Sequence, residues 1–211
     1  LFSYNIAETP KEIMEFTSSV EKYCVENNIT NAYVAIDQEG GNVNRLREIT
    51  SRLPSNQKVA EHYSPEQAGV LYSIQAKQMR VLGINMNLAP VIEPVIDSNR
   101  GFLGNRSFGN APASIAYSMK CIAAYEKNGV ATVVKHFPGN TNTDPHTGLP
   151  VINLSDSDFE MYCLVPFAFA MTQDPSAILM SHTIVKGKDE KSPACLSFYW
   201  INDVLKDTLG Y

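Results

Sequence analysis

Four short apolar runs punctuate the chain at Ala32–Ile36, Ile84–Leu88, Ala131–Val134 and Ala177–Met180, each of the length expected for a buried strand. The longer stretches between them carry helical spacing. Pro10–Asn28 sets Ile13, Phe16, Val20 and Cys24 three or four residues apart on one face, behind Thr9 as a candidate cap. Pro65–Leu82, Pro112–Asn128 and Ser157–Thr172 repeat the pattern, and Ser64 and Ala111 each precede a proline suited to a first helical turn. Asn128-Gly129 reads as a left-handed stop. A last helix is predicted over Ser197–Leu209, ending at Gly210.

Strand starts recur at a spacing of roughly fifty residues, a β-α rhythm that implies a parallel sheet. Such a sheet either stays open and doubly wound or closes into a (β/α) barrel. Polar residues help to choose between the two. Asp37 follows the first run, Lys135 and His136 the third, Ser181 and His182 the fourth. Chemistry placed after several strands suits the C-terminal face of a barrel. An open sheet gathers ligand contacts at one switch point, often behind a glycine-rich phosphate loop, and no GxGxxG or Walker motif is present. The barrel is the preferred fold, with residues 1–211 as one domain.

Composition narrows the function classes only modestly. The chain has 211 residues, of which 44% are hydrophobic and 18% charged, as in a globular protein. A net charge of −5 supplies no general reason to expect nucleic-acid binding. No apolar run approaches the roughly 20 residues that span a bilayer. Cys24, Cys121, Cys163 and Cys195 lie far apart, without zinc-knuckle or CxxC spacing. The first three fall in predicted helices as small hydrophobes, which slightly favours a reducing, cytoplasmic compartment over export. No cofactor is implied.

The richest stretch is Lys135-His136-Phe137-Pro138-Gly139 followed by Asp144-Pro145-His146. A strand delivers a cation and an imidazole to a loop bearing a second imidazole with its own carboxylate, an arrangement suited to acid/base work. An ordinary strand-to-loop junction with two satisfied histidines fits the same residues. In Asp37-Gln38-Glu39-Gly40-Gly41, leading to Arg45, the glycines permit a sharp turn. Asp37 can there accept sugar hydroxyls while Arg45 offers a planar fork. A solvated turn is the alternative. Gly104-Asn105-Arg106-Ser107-Phe108-Gly109 is an arginine-bearing loop, weak evidence alone.

Together, in order, these segments resemble the family 3 glycoside hydrolases, specifically their bacterial exo-β-N-acetylglucosaminidase branch. Asn87-Leu88-Ala89-Pro90-Val91, Met180-Ser181-His182, Pro193-Ala194-Cys195-Leu196-Ser197 and Leu209-Gly210-Tyr211 extend the match. The resemblance implies a retaining glycosidase that removes terminal, non-reducing N-acetylglucosamine from cell-wall fragments. The residues matching Asp37, Arg45, Arg106, Lys135 and His136 would hold sugar hydroxyls. His146 would be the general acid/base and Asp144 its partner, where most glycosidases use two carboxylates.

The chain departs from the family pattern in two ways. Only Asn140-Thr141-Asn142-Thr143 separate Gly139 from Asp144, so the loop is shorter than usual and lacks an extra histidine. The family's nucleophilic aspartate belongs to a Ser-Asp-Asp strand beyond the position of Tyr211. By the same match the first strand and the last ones are missing, with a remnant at Leu1–Tyr4, and about five of eight barrel strands remain. A further C-terminal segment or a second chain is expected to complete the barrel. Glu39, beside Asp37 on an extended segment, is expected to point elsewhere, and Asp97 has only turn propensity. Rival readings are an inactive fragment or sugar-binding protein on the same scaffold, a β-glucosidase, or a metallohydrolase using Asp37, His136, His146 and His182. Close HxH or HExxH spacing is absent, so no metal site is assigned. His182 either lines the pocket floor or closes a barrel layer as a hydrogen-bonded residue. Trp200 is expected to pack the last helix and Phe137 to support the loop.

Overall fold

A computed structural model describes Leu1, residues 8–30 and residues 32–211. The chain alternates strands and helices: α1 Pro10–Glu26, β1 Ala35–Ile36, β2 Gln38–Gly40, β3 Val43–Asn44, α2 Asn56–His62, α3 Pro65–Val81, β4 Met86–Asn87, α4 Arg100–Leu103 and α5 Ala111–Lys127. Next come β5 Ala131–Phe137, β6 Val151–Ile152, α6 Asp156–Phe159, α7 Val165–Met171, β7 Ala177–Met180, β8 Ile184–Val185 and the π-wound α8 Tyr199–Thr208.

The main sheet is parallel, in the order β1-β4-β5-β7. Successive strands are neighbours with no reversal of direction across the sheet. A doubly wound sheet reverses at its switch point, whereas a (β/α) barrel winds one way, so the order itself supports the barrel reading. The central strand β5 is buried on both faces from Thr132 to Lys135, as a helix-covered parallel strand must be. Two small pairs flank the sheet: the antiparallel hairpin β2-β3 and the parallel pair β6-β8.

Two apolar clusters hold the helices on the sheet. One gathers Ile36 and Ile84 with Tyr72, Met79, Cys121 and Tyr125 beneath α3 and α5. The other centres on Phe137, whose ring meets Phe167 edge-on at 4.9 Å and Trp200 at 6.2 Å. Helix α5 feeds both, through Tyr125 on one side and Ile122 on the other. Trp200 packs α8 as expected, and Phe137 is buried in the same cluster.

The helix starts follow their caps. Thr9 and Glu12 form a reciprocal capping box, as do Ser64 and Gln67. For α5 the cap is Asn110, one residue before the expected Ala111, because its carboxamide accepts from the Ala113 N–H. Gly129 ends α5 at φ 73°.

Several expectations need correction. On α1 the buried stripe is Ile13, Thr17 and Cys24, while Phe16 is 50% exposed and Val20 half-buried. The helix is turned so that Thr17 meets Gly83 and donates to the Leu82 carbonyl at 2.9 Å, which carries Phe16 away from the core. The helix predicted over Ser157–Thr172 is interrupted by a π-wound stretch at Glu160–Leu164, just before Pro166 removes an N–H from the ladder. Strand β5 runs on through Phe137, and β1 and β4 are shorter than their apolar runs. Helix α2 and the β2-β3 hairpin carry too few apolar positions to show a period. Residues 2–4 of the expected Leu1–Tyr4 remnant lie outside the described residues; the Leu1 main-chain nitrogen lies 2.6 Å from the Ala35 carbonyl oxygen.

The turn that delivers the site depends on Gly40. At φ 101°, a Cβ there would lie 2.1 Å from the Pro54 carbonyl oxygen. Gly104, at φ 53°, has nothing within 4 Å of the same atom. Gly40→Ala is expected to cost about 3 kcal/mol or more, combining backbone strain with a clash against main chain. Gly104→Ala, strained by φ 53° and ψ −127° but free of any clash, should cost less, about 1–3 kcal/mol. Urea midpoints measure both, and equal losses would contradict this account of the turn.

Candidate active site

The site lies past the C-terminal ends of the sheet strands. Lys135, near the end of β5, is almost wholly buried and must find negative charge. Its Nζ sits 2.8 Å from Asp37 Oδ1 and 2.6 Å from Glu39 Oε1. Arg106 closes the cluster from the 3₁₀ turn Gly104–Arg106 that follows α4. Its Nε and Nη2 donate to the two Glu39 oxygens at 2.8 and 2.9 Å, a bidentate pair. Phe102 lies under the same guanidinium at 5.7 Å. Two cations and two carboxylates thus neutralise one another.

The hairpin explains how Glu39 reaches Lys135. Asp37 falls between β1 and β2, where strand alternation is interrupted, so side-chain direction cannot be counted across it. Gln38 then turns into the hairpin, its Nε2 donating to Asn44 Oδ1 at 2.7 Å and its Oε1 accepting from the Leu46 N–H at 3.1 Å. Asn87 on β4 grips the Gln38 main chain through both its N–H and its carbonyl. With Gln38 held on one face, Glu39 faces the other, toward Lys135. The expectation that Glu39 points away is therefore wrong.

Burial alone would raise the Glu39 pKa. The Arg106 hydrogen bond and the Lys135 and Arg106 charges overcome that and bring it down from 4.5 to about 2. Glu39 stays ionised and is unsuited to act as a proton donor. For Arg106, burial opposes the charge, but the pairing with Glu39 outweighs it and raises its pKa. Asp37 keeps 20% of its side chain accessible, with one oxygen committed to Lys135.

His136 sits beside this cluster. Its Nδ1 lies 2.7 Å from Glu93 Oε1, and 17% of the side chain is accessible. Arg45 is half-buried and enters no ion pair among the described residues, and its Nε is buried without a partner. The Asp144/His146 dyad is formed: Nδ1 lies 2.6 Å from Asp144 Oδ1, and the His146 N–H donates to the same oxygen at 2.9 Å. These bonds, the main-chain one first, lower the Asp144 pKa. The His146 side chain is 87% exposed, so the dyad stands in solvent rather than packed on the Lys135 cluster. His182 Nδ1 contacts Cys195 Sγ at 3.3 Å. Asp37, His136, His146 and His182 thus face four different partners, and no group of three or more metal-ligand residues occurs among the described residues.

The Glycosyl hydrolase family 3 N terminal domain matches residues 2–211. The chain belongs to this family. It is 34% identical over 186 residues to the β-hexosaminidase LpqI of Mycobacterium tuberculosis, a stretch covering 84% of the chain and 46% of that protein. It is 28% identical to β-hexosaminidase A of Pseudoalteromonas piscicida, covering all of the chain and 38% of the relative. The solved family 3 β-N-acetylglucosaminidase from Paenibacillus sp. str. FPU-7 superimposes with a TM-score of 0.93 at 31% identity. That match covers all of this chain and 41% of the other. The chain therefore spans less than half the length of these three relatives.

Sequence reasoning missed Glu39 as a site residue, and it missed Glu93 altogether. Glu93 is a carboxylate at the end of an apolar run, the same signal that singled out Asp37. The depressed Glu39 pKa makes its pairing a source of stability above about pH 4.5, lost as pH falls toward 2. Glu39→Gln should lower stability at pH 7 by about 3 kcal/mol, since it leaves Lys135 and Arg106 less compensated. It should also flatten the decline in stability between these pH values. Urea titrations across that range measure both effects, and an unchanged acid slope would contradict the assignment.

Proposed function

We propose that residues 1–211 form one partial barrel domain of a retaining β-N-acetylglucosaminidase acting on terminal, non-reducing N-acetylglucosamine in cell-wall fragments. The observation that carries the reading is the neutral Asp37–Lys135–Glu39–Arg106 cluster with His136 beside it. The Asp37 carboxylate, the Arg106 guanidinium and the His136 imidazole are held there by Lys135, Glu39 and Glu93 in turn, each of the three with part of its surface open. Such a set suits a ring of neighbouring hydroxyls, each of which donates and accepts. Arg45, with an unpartnered Nε, is a further candidate donor.

In this reading Asp37, Arg45, Arg106, Lys135 and His136 grip the sugar. His146 protonates the leaving oxygen and then takes a proton from the attacking water, and Asp144 orients the ring and stabilises its charged form. The nucleophile is assigned by family resemblance to an aspartate beyond the position of Tyr211. Neither Glu39, held as an anion by two cations, nor Asp37, bonded to Lys135, is a candidate for that role. The exposure of His146 implies that the loop moves inward to act. It also favours a second reading, a sugar-binding protein on the same scaffold without turnover.

The test uses the parent protein, including sequence after Tyr211, and a chromogenic β-N-acetylglucosaminide. His146→Ala should lower kcat by about 10²–10⁴-fold. Calorimetric affinity for N-acetylglucosamine should change less than about threefold, since the dyad lies outside the sugar grip. Equal loss of turnover and affinity would sink the acid/base assignment. Binding without turnover by the wild-type parent would establish the second reading.

A further inference from the structure

Glu93 sits where three parts of the site meet, yet the reaction described above assigns it nothing. The Ala89–Ile92 segment runs alongside β5, with the Lys135 N–H donating to the Pro90 carbonyl at 3.1 Å and the Ile92 N–H to the Lys135 carbonyl at 3.0 Å. This brings Glu93, 2% exposed, next to His136. Oε1 accepts from the His136 N–H at 3.2 Å and the Asn140 Nδ2 at 2.9 Å, and lies 2.7 Å from His136 Nδ1. Oε2 accepts from the Asn140 N–H at 2.6 Å. The Glu93 carbonyl accepts from Ser107 Oγ at 2.6 Å, one residue from Arg106.

Two consequences follow from this geometry. The Glu93 oxygens already accept three N–H groups from His136 and Asn140, so the Nδ1 contact fits a donating Nδ1–H and leaves Nε2 for a ligand. Among the described residues Nε2 has no protein partner. Meanwhile Asn140 begins the loop that ends in the dyad. Asn142, two residues on, is tied to α4 and to the loop before it, accepting from the Gly101 N–H at 2.7 Å and donating from its own N–H to the Ser98 carbonyl at 2.6 Å. From Thr143 to Leu149 the chain is largely exposed. The dyad therefore follows a root that Glu93 holds at Asn140 and the start of α4 holds at Asn142.

We propose that Glu93 is a positioning residue that fixes the tautomer of the sugar-contacting His136 and, through Asn140, the root of the acid/base loop. The proposal rests on the β-N-acetylglucosaminidase reading. Four donors converge on two oxygens, so a glutamine there would set its own NH₂ against either His136 or Asn140.

The experiment uses the parent enzyme as wild type, Glu93→Gln, His136→Ala and the double variant, with folding checked by thermal melting. Glu93→Gln should weaken N-acetylglucosamine binding and lower kcat, each by about tenfold or more. In the His136→Ala background it should change affinity by less than about twofold while still lowering kcat. The affinity effect passes through His136, and the kcat effect through the loop. Wild-type affinity in Glu93→Gln, or affinity losses that multiply in the double variant, would overturn the proposal. If Glu93→Gln fails to fold, Glu93→Asp takes its place, retaining the charge while shortening the reach.

A wild-type parent that neither binds N-acetylglucosamine nor cleaves the glycoside would overturn the sugar reading itself, a distinct result. The imidazole ¹⁵N shifts of His136, assigned by comparison with His136→Ala, then decide on Glu93. The Nδ1–H tautomer should dominate in wild type and be lost in Glu93→Gln, and its retention would overturn the proposal.

Discussion

A lysine ammonium held almost out of water on the central strand of a parallel sheet is costly, by several kcal/mol if left uncompensated. Lys135 is such a group, with 3% of its side chain accessible. Its compensation comes from two carboxylates contributed by one short stretch of chain, Asp37 at the end of β1 and Glu39 in the hairpin. Glu39 in turn brings in Arg106 from a loop 67 residues away. The placement of β1, the sharpness of the turn at Gly40 and the path of the Arg106 loop are thus conditions for burying one charge. Two residues on, Phe137 anchors the same strand among Phe167 and Trp200. The strand that carries the site is thus held by electrostatics and by packing at neighbouring positions.

The architecture was legible wherever apolar residues speak with a clear period. All four strands of the main sheet and the long helices announce themselves, because their faces must meet a core. Thr9, Ser64 and Gly129 also act as the caps and stop their chemistry suggests. Phe16 misled because helical spacing marks a stripe but not which edge of it faces inward. There Thr17 prevailed, through its bond to the Leu82 carbonyl and its contact with Gly83.

At the site, Asp37, Arg106, Lys135 and His136 were visible as polar residues after strands or in a glycine-framed loop. Glu39 was not, since its direction depends on an interruption of the strand at Asp37 and on the hydrogen bonds that pull Gln38 the other way. Glu93 escaped for a different reason. The apolar run ending at Leu88 continues through Ala89-Pro90-Val91-Ile92 as irregular chain beside β5, so the carboxylate lies several residues past the expected strand end. Arg45 was named for its fork, and it stands half-buried with a donor unused.

The bonds within Asp144-Pro145-His146 close inside a single turn of chain, without help from any other segment. In the proposed acid/base role, the pair is consequently assembled before its loop moves. Its ring orientation is set by its own carboxylate rather than by pocket walls, and the loop acts as a tether for a finished part. A tether can be shortened without retuning the part it carries. What tether length governs is how often the part arrives, so loop changes should register in the frequency of productive encounters rather than in the chemistry of each one.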